Sequence, residues 1–146
     1  MNTMKIISVL KDFSEYPGLR NCSISEFSGE DFYHKILNKS FKEAFESNES
    51  LQINLDGTGG YASSFLDEAF GNLIFDFTLK EVQKRVEIVS DQEPEWKDMI
   101  ENKTFIQWES RRDKKEKPIV TVNHDAWYRL VDNKLKLEVW EQPTVL

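Results

Sequence analysis

One segment in the middle of the chain constrains the fold more than any other: LQINLDGTGGYASSFLDEAFGNL, residues 51–73. Its first six positions alternate leucine or isoleucine with polar residues, and a period of two predicts a half-buried β-strand. The glycine-rich stretch that follows predicts a sharp turn, because glycine adopts backbone conformations that other residues avoid. Apolar residues then recur at helical spacing, with Ser64 and Asp67 spaced as in a capping box. The segment therefore predicts a strand, a turn and a helix.

Further strands and helices are predicted on both sides of this segment. Upstream, residues 4–10 are rich in β-branched and apolar types, and a helix is predicted from Ser28 to about Asn48. Downstream, TLKEVQKR predicts a short helix, VEIVS a strand and EPEWKDMIENK another helix. Because strands alternate with helices, the sequence predicts an α/β layer.

The last third of the chain differs in character. Its RRDKKEKP stretch has five basic and two acidic residues without an apolar stripe, which predicts a solvated helix end or loop. After Pro118, IVTVN, AWYRLV and KLKLEVW are rich in β-forming residues. We therefore predict an α/β domain over residues 1–103. Residues 104–146 would form a charged linker and a C-terminal β hairpin or meander packed on the same domain.

Charge and cysteine content exclude several classes of function. A net charge of −7 over 146 residues would repel a phosphate backbone, so we expect no nucleic-acid partner. Cys22 is the only cysteine, which excludes an intramolecular disulfide and a zinc site built mainly from thiolates. We find no signal peptide and no segment approaching the ~20 apolar residues that cross a bilayer. The expectation is a cytoplasmic protein without membrane contact.

Residues 51–73 closely resemble the core of the STAS-like domain family of unknown function. The strand, the glycine turn, the Ser-Ser-Phe-Leu-Asp-Glu-Ala-Phe-Gly helix start and an upstream Ser-Gly-Glu-Asp-Phe helix occur in the order of that family. The resemblance covers roughly residues 4–100. It implies a STAS-like α/β fold, with a mixed β-sheet covered by helices, to which the C-terminal region adds a β-rich extension.

The same resemblance implies a regulatory function. STAS domains include anti-sigma-factor antagonists, in which a strand leads into a helix that begins with Asp-Ser-Ser-Gly, and a partner kinase phosphorylates the first serine. Ala62-Ser63-Ser64-Phe65 is similar by position, which implies Ser63 as the phosphoacceptor, although Ala62 and Phe65 replace the aspartate and glycine. STAS-like domains also occur beside or fused to histidine-kinase-type ATPase modules. The resemblance thus implies an ATPase or kinase as protein partner.

We therefore predict a non-enzymatic module that binds a protein partner through the glycine turn and helix start. This recognition edge would comprise Gly57, Gly59, Gly60, Tyr61, Ser63, Ser64, Phe65, Asp67 and Glu68. A structural interpretation stays open for the serines, because a serine at a helix start caps free N–H groups. The functional interpretation is that these N–H groups and the helix dipole favour a phosphate there. Asp67 and Glu68 would repel it.

Other residues give weaker indications. His34 lies on a predicted helix and is expected to be partly exposed, and neither His34 nor His124 has ligand-like neighbours in sequence. Cys22 is expected to be an unremarkable thiol in a loop or the core. The preferred interpretation includes no catalytic residue, no metal and no cofactor.

Two alternative functions remain. The first is a small metal-dependent hydrolase or nuclease-like enzyme that uses His124 and acidic residues, with Asp56, Asp67 and Glu68 as oxygen ligands for magnesium. The second is a structural subunit of a larger assembly, in which the aromatic C-terminal hairpin supplies an obligate interface.

Overall fold

In the computed structural model, which describes residues 3–142, strands and helices alternate along most of the chain and a hairpin follows. The strands are β1 (Met4–Ser8), β2 (Ser50–Asn54), β3 (Val86–Val89), β4 (Trp127–Val131) and β5 (Lys134–Glu138). The helices are α1 (Val9–Asp12), α2 (Gly29–Phe32), α3 (Asn38–Ser47), α4 (Ser63–Phe77), α5 (Leu79–Arg85), α6 (Pro94–Met99) and α7 (Phe105–Asp113). Two π-helical segments, Tyr33–Leu37 and Ile100–Thr104, join α2 to α3 and α6 to α7. No helix within residues 3–142 has the length and apolar character needed to cross a membrane.

The three N-terminal strands form a parallel sheet in the order β1-β2-β3. Ile53 on the central strand pairs with Ile7 on one side and Ile88 on the other, and all three are buried. Parallel strands need crossover connections, which α1–α3 and α4–α5 supply. The predicted α/β class is confirmed. Parallel and antiparallel pairs both occur, but in separate sheets, because β4 and β5 pair only with each other.

The helix predicted after Ser28 has the predicted ends. The Ser28 hydroxyl accepts the Asp31 backbone N–H at 3.1 Å, which caps the first turn of α2. At the other end, Asn48 adopts φ 54°, the left-handed conformation that commonly ends a helix. The π-helical segment between α2 and α3 is a departure from the simple helical spacing that the sequence suggested.

Helix α4 lies at the centre of the molecule and is buried along most of its length. It contacts α2, α7 and β4. At Gly71, the backbone of α4 packs against the indole ring of Trp108 in α7. A side chain at this position would fill the space that the indole occupies.

We predict that Gly71→Ala lowers the free energy of unfolding by about 1–3 kcal/mol, the usual cost of overpacking a core. The new Cβ would lie less than 3.0 Å from atoms of the Trp108 ring, so that ring must move. Helix propensity alone predicts the opposite, a gain of about 1 kcal/mol. Urea denaturation of wild type and variant decides between them. Gly71→Ala with Trp108→Leu should be less destabilised than the sum of the two single variants.

The C-terminal region is helical for longer than the sequence suggested. The helix that begins at Pro94 continues to Asp113, because Phe105 and Trp108 are buried in the core. IVTVN forms no strand, so the region has a hairpin and not a meander. Asp132 and Asn133 join β4 to β5 with φ values of 52° and 63°, as in a two-residue turn with two left-handed positions.

The hairpin packs on α3 and α4 through polar contacts. The Asn38 side chain accepts the Tyr128 N–H at 2.8 Å and donates to the Tyr128 carbonyl at 2.9 Å. Arg129 Nε donates to Asp76 Oδ1 on α4 at 2.7 Å. These bonds fix β4 against the helical layer.

Candidate functional site

The predicted recognition edge, residues 57–68, lies where β2 leads into α4, and we call it the α4 edge. Its loop is held to the connection between β3 and α6. The Asp56 carboxylate accepts the Gln92 N–H at 3.0 Å, and the Gly57 N–H donates to the Gln92 side chain at 2.9 Å. The Tyr61 hydroxyl donates to the Leu55 carbonyl at 2.7 Å. These hydrogen bonds therefore give the loop a defined shape.

Two of the three turn glycines have backbone angles that favour glycine. Gly57 has φ 93° and Gly60 has φ 125°, both in the region that side chains disfavour. Gly59 is held differently, by donating its N–H to the Glu15 carbonyl at 2.8 Å. The glycines thus shape the turn.

The start of α4 differs from the predicted capping box. Ala62 is the N-cap residue, and no side chain within residues 3–142 caps the first turn. The predicted box was wrong because Asp67 turns away from the helix start. Its carboxylate accepts from Arg20 at 2.8 Å and from Trp108 Nε1 at 3.2 Å. Neither Ser63, which is exposed, nor Ser64, which is half-buried, caps α4.

Arg20 is a functional candidate that the sequence did not indicate. Its guanidinium lies 2.8 Å from Asp67 Oδ2 and 3.1 Å from Glu68 Oε1. Burial raises the pKa of Glu68, although hydrogen bonds from Asn72 and Arg20 oppose that shift. Arg20 also lines a pocket of about 350 Å³ at the start of α4, which contains Arg20, Ser63, Ser64, Asp67, Met99, Lys103, Thr104 and Gln107.

Two residues of the predicted edge are inaccessible. Phe65 is 0% exposed and packs on Phe32, and Glu68 is 4% exposed beneath Arg20. Their side chains therefore stabilise the start of α4 from inside and cannot contact a partner. The accessible part of the α4 edge is formed by Gly57, Gly59, Gly60, Tyr61, Ser63, Ser64 and Asp67.

Comparison with known families gives a match over residues 28–96, to the STAS-like domain of unknown function. Residues 28–96 are therefore similar to the STAS-like domain family. The match starts at the cap of α2 and ends within α6, so it includes β2, the α4 edge and β3. This confirms the predicted resemblance over a shorter span than predicted. Neither the curated proteins nor the solved structures gave a match.

Outside the α4 edge, Glu30 and His34 contribute to a polar cluster that corrects the prediction of a partly exposed His34. His34 is buried, 5% exposed, and its ring stacks on His124 with 4.2 Å between centroids. His124 does have ligand-type neighbours: its Nε2 lies 2.7 Å from Glu30 Oε2 and 4.0 Å from Cys22 Sγ. Sequence inspection missed this cluster because Glu30 and His124 are 94 positions apart.

The acidic residues proposed for magnesium do not converge. Asp56 binds backbone N–H groups of the connection between β3 and α6, whereas Asp67 and Glu68 bind Arg20. Asp56 and His124 also line different pockets. The arrangement that the hydrolase alternative requires is therefore not formed among the described residues.

Proposed function

We propose that the chain is a regulatory module that acts by binding a protein partner through the α4 edge, without catalysing a reaction. The exposed position of Ser63 carries this proposal. Ser63 is the first residue of a long, buried helix, and no described side chain caps the first turn beside it. The positive end of the helix dipole thus lies beside the exposed Ser63.

The fixed shape of the loop supports recognition. A surface that is already ordered loses little conformational entropy on binding, so more of its contact energy appears as affinity. Hydrogen bonds from Tyr61 and to Asp56 hold the loop. A partner would therefore meet the turn glycines and Ser63 in one arrangement.

The pocket beside Ser63 supports a phosphorylation switch. A phosphate on the Ser63 hydroxyl would add about −1.5 to −2 charges at pH 7. Arg20 and Lys103 line the same pocket and could pair with it, whereas Asp67 would repel it. Arg20 would then exchange its bond to Asp67 for the phosphate, which changes both the charge and the shape of the edge.

The proposed partner is a histidine-kinase-type ATPase. Such a partner would bind the unmodified α4 edge and transfer the γ-phosphoryl group of ATP to the Ser63 oxygen, which releases ADP and the hydroxyl proton. The accessible glycines let another backbone approach the loop closely. The family resemblance and the exposed serine are the grounds for this choice.

We predict that Ser63→Asp weakens partner binding at least about tenfold, since one lost charge-assisted hydrogen bond contributes roughly 1.5–3 kcal/mol. The added carboxylate would compete with Asp67 for Arg20. It would also repel any acidic side chain of the partner that contacts this position. Ser63→Asn is the matched control, because it has nearly the same size without the charge. It should change affinity by less than about threefold, which is roughly 0.6 kcal/mol. Calorimetry with the captured partner measures both.

The partner is first captured by site-specific photo-crosslinking in native cells, with the crosslinker at position 63. A crosslinker at Lys136, exposed on the C-terminal hairpin, is the control. We expect one partner from position 63 alone, and mass spectrometry should find phosphate on Ser63 of the wild type. The proposal would be contradicted if positions 63 and 136 crosslink to the same protein in equal yield. Equal affinity of the Ser63→Asp and Ser63→Asn variants for the partner would also contradict it.

A further inference from the structure

Three side chains of the types that bind metals meet at the start of α2, two of them eight positions apart in sequence and the third 94 positions from Glu30. Cys22 Sγ, a carboxylate oxygen of Glu30 and His124 Nε2 all lie within 4.8 Å of one another. Glu30 is buried at the start of α2, while Cys22 and His124 are half-buried in the segments before and after the STAS-like domain. In the part of the chain that the structure describes, no other trio of such residues is this close.

The donor atoms and their spacing suit zinc. Thiolate, imidazole and carboxylate are its usual protein ligands, at about 2.3, 2.0 and 2.0 Å in tetrahedral geometry. Tetrahedral angles then place sulfur and nitrogen about 3.5 Å apart, and nitrogen and oxygen about 3.3 Å apart. The observed Cys22–His124 distance is 4.0 Å and the His124–Glu30 distance is 2.7 Å. These two distances therefore differ from the tetrahedral values by about half an ångström each.

Outer contacts already orient the ligands. Glu30 Oε2 faces His124, while Glu30 Oε1 accepts from the Thr121 hydroxyl at 2.6 Å and the Cys22 N–H at 3.1 Å. A cation on Oε2 would leave those Oε1 bonds intact. The ring of His34 stacks on His124, with an angle of 9° between the planes, and so fixes its orientation. Contacts of this kind contribute to the affinity of metal sites.

We propose that Cys22, Glu30 and His124 bind one zinc ion. Its fourth position would be open to a pocket of about 540 Å³ that Cys22 and His124 line, so water or a donor atom from a partner completes the coordination. The charges balance, because one thiolate and one carboxylate neutralise a divalent cation in a half-buried site. The ion would tie the chain before α2 and the segment around His124 to the STAS-like domain.

The protonation states determine which proton zinc must displace. Burial, with the nearby Glu30 and Asp31 carboxylates, raises the pKa of Cys22 to about 11, so the thiol is protonated at neutral pH without a cation. Burial alone would raise the pKa of Glu30, but hydrogen bonds from His124, Thr121 and the backbone outweigh it and lower the pKa to about 2. Zinc binding would therefore displace the Cys22 proton, while Glu30 is already ionised.

Cobalt(II) titration of the full chain tests the proposal. Because Cys22 is the only cysteine, thiolate-to-cobalt charge-transfer absorption can come from that residue alone. We expect the near-ultraviolet band to saturate at one cobalt per chain and to disappear when one equivalent of zinc is added. Zinc should also raise the melting temperature, since it binds the folded chain.

Variants define the ligands. Cys22→Ser should abolish the band, and His124→Ala should weaken cobalt binding at least tenfold. Asp125→Asn, an exposed carboxylate beside His124, is the control and should bind like wild type. Circular dichroism establishes that each variant is folded. Absence of the band in folded wild type at millimolar cobalt, or a band unchanged by His124→Ala, would overturn the proposal, whatever the outcome for the α4 edge.

Discussion

Replacing Arg129 with methionine is expected to lower the free energy of unfolding by about 3–5 kcal/mol, the usual cost of breaking a buried ion pair from one side. Arg129 Nε donates to Asp76 Oδ1 at 2.7 Å, and its Nη1 donates to Glu138 Oε1 at 2.6 Å. Asp76 is only 1% exposed. Without Arg129, its carboxylate would keep the Tyr33 hydroxyl, at 2.5 Å, as its closest hydrogen-bond donor.

The stability lost in Arg129→Met should depend more on the unpaired charge of Asp76 than on the missing contacts of Arg129. Burial raises the pKa of Asp76, and the charge of Arg129 is the main opposing influence. Removing Arg129 therefore leaves an unpaired charge in the core, which the chain avoids by taking up a proton or by detaching the hairpin. The destabilisation should accordingly shrink as the pH falls and Asp76 becomes protonated.

Urea denaturation at pH 7 measures the effect, with two controls. Lys136→Met removes a positive charge from the exposed residue that pairs with Arg129 across the hairpin, and should change stability by less than about 1 kcal/mol. Asp76→Asn added to Arg129→Met removes the unpaired charge and should restore part of the loss. Equal effects of Arg129→Met and Lys136→Met would mean that the hairpin is held by other contacts.

Local patterns in the sequence were sufficient to predict much of the fold. The alternation in residues 51–56 and the helical spacing after Ser28 depend on neighbours a few positions apart, so periodicity alone reports them. The left-handed cap at Asn48 follows from the same local chemistry. The strand and helix that flank the turn of the α4 edge were predicted for the same reason, since they follow one another directly in the sequence.

Contacts between distant segments could not be predicted in this way. Asp67 was expected to cap its own helix, but Arg20 and Trp108, 47 and 41 positions away, hold its carboxylate. His124 showed no ligand-like neighbours in sequence, because Glu30 and Cys22 reach it only after the C-terminal segment packs on α2. Which side chains meet across such distances is decided by packing, and a single sequence does not contain that information directly.

The buried His34 predicts that stability falls as the pH drops below 6.5. Burial, with the nearby His124 and Arg129, lowers the pKa of His34 from 6.5 to about 3. The unfolded chain therefore takes up a proton near pH 6.5, whereas the folded chain does not until about pH 3. Stability from this group is complete above pH 6.5 and is lost at about 1.4 kcal/mol per pH unit below it, or roughly 2 kcal/mol at pH 5.

Glu30 also makes the stability fall as the pH drops, but at lower pH than His34 does. The pKa of Glu30 is lowered from 4.5 to about 2, so its contribution is present above pH 4.5 and is lost as the pH falls towards 2. The interval between pH 6.5 and 4.5 therefore isolates His34 from Glu30. Urea denaturation across that interval measures the free energy of unfolding, with a chelator present to remove metal ions. In wild type this free energy should fall steeply as the pH decreases.

His34→Gln tests whether this histidine causes the slope, because glutamine is polar, similar in length and does not titrate. The variant should lose most of the decline between pH 6.5 and 4.5, even if it is less stable than wild type at pH 7. Lys35→Gln, at the exposed neighbouring position, should keep the wild-type slope. If His34→Gln keeps that slope, then other groups drive the decline, and His34 must accept a proton in the folded chain by moving out from between His124 and Trp127.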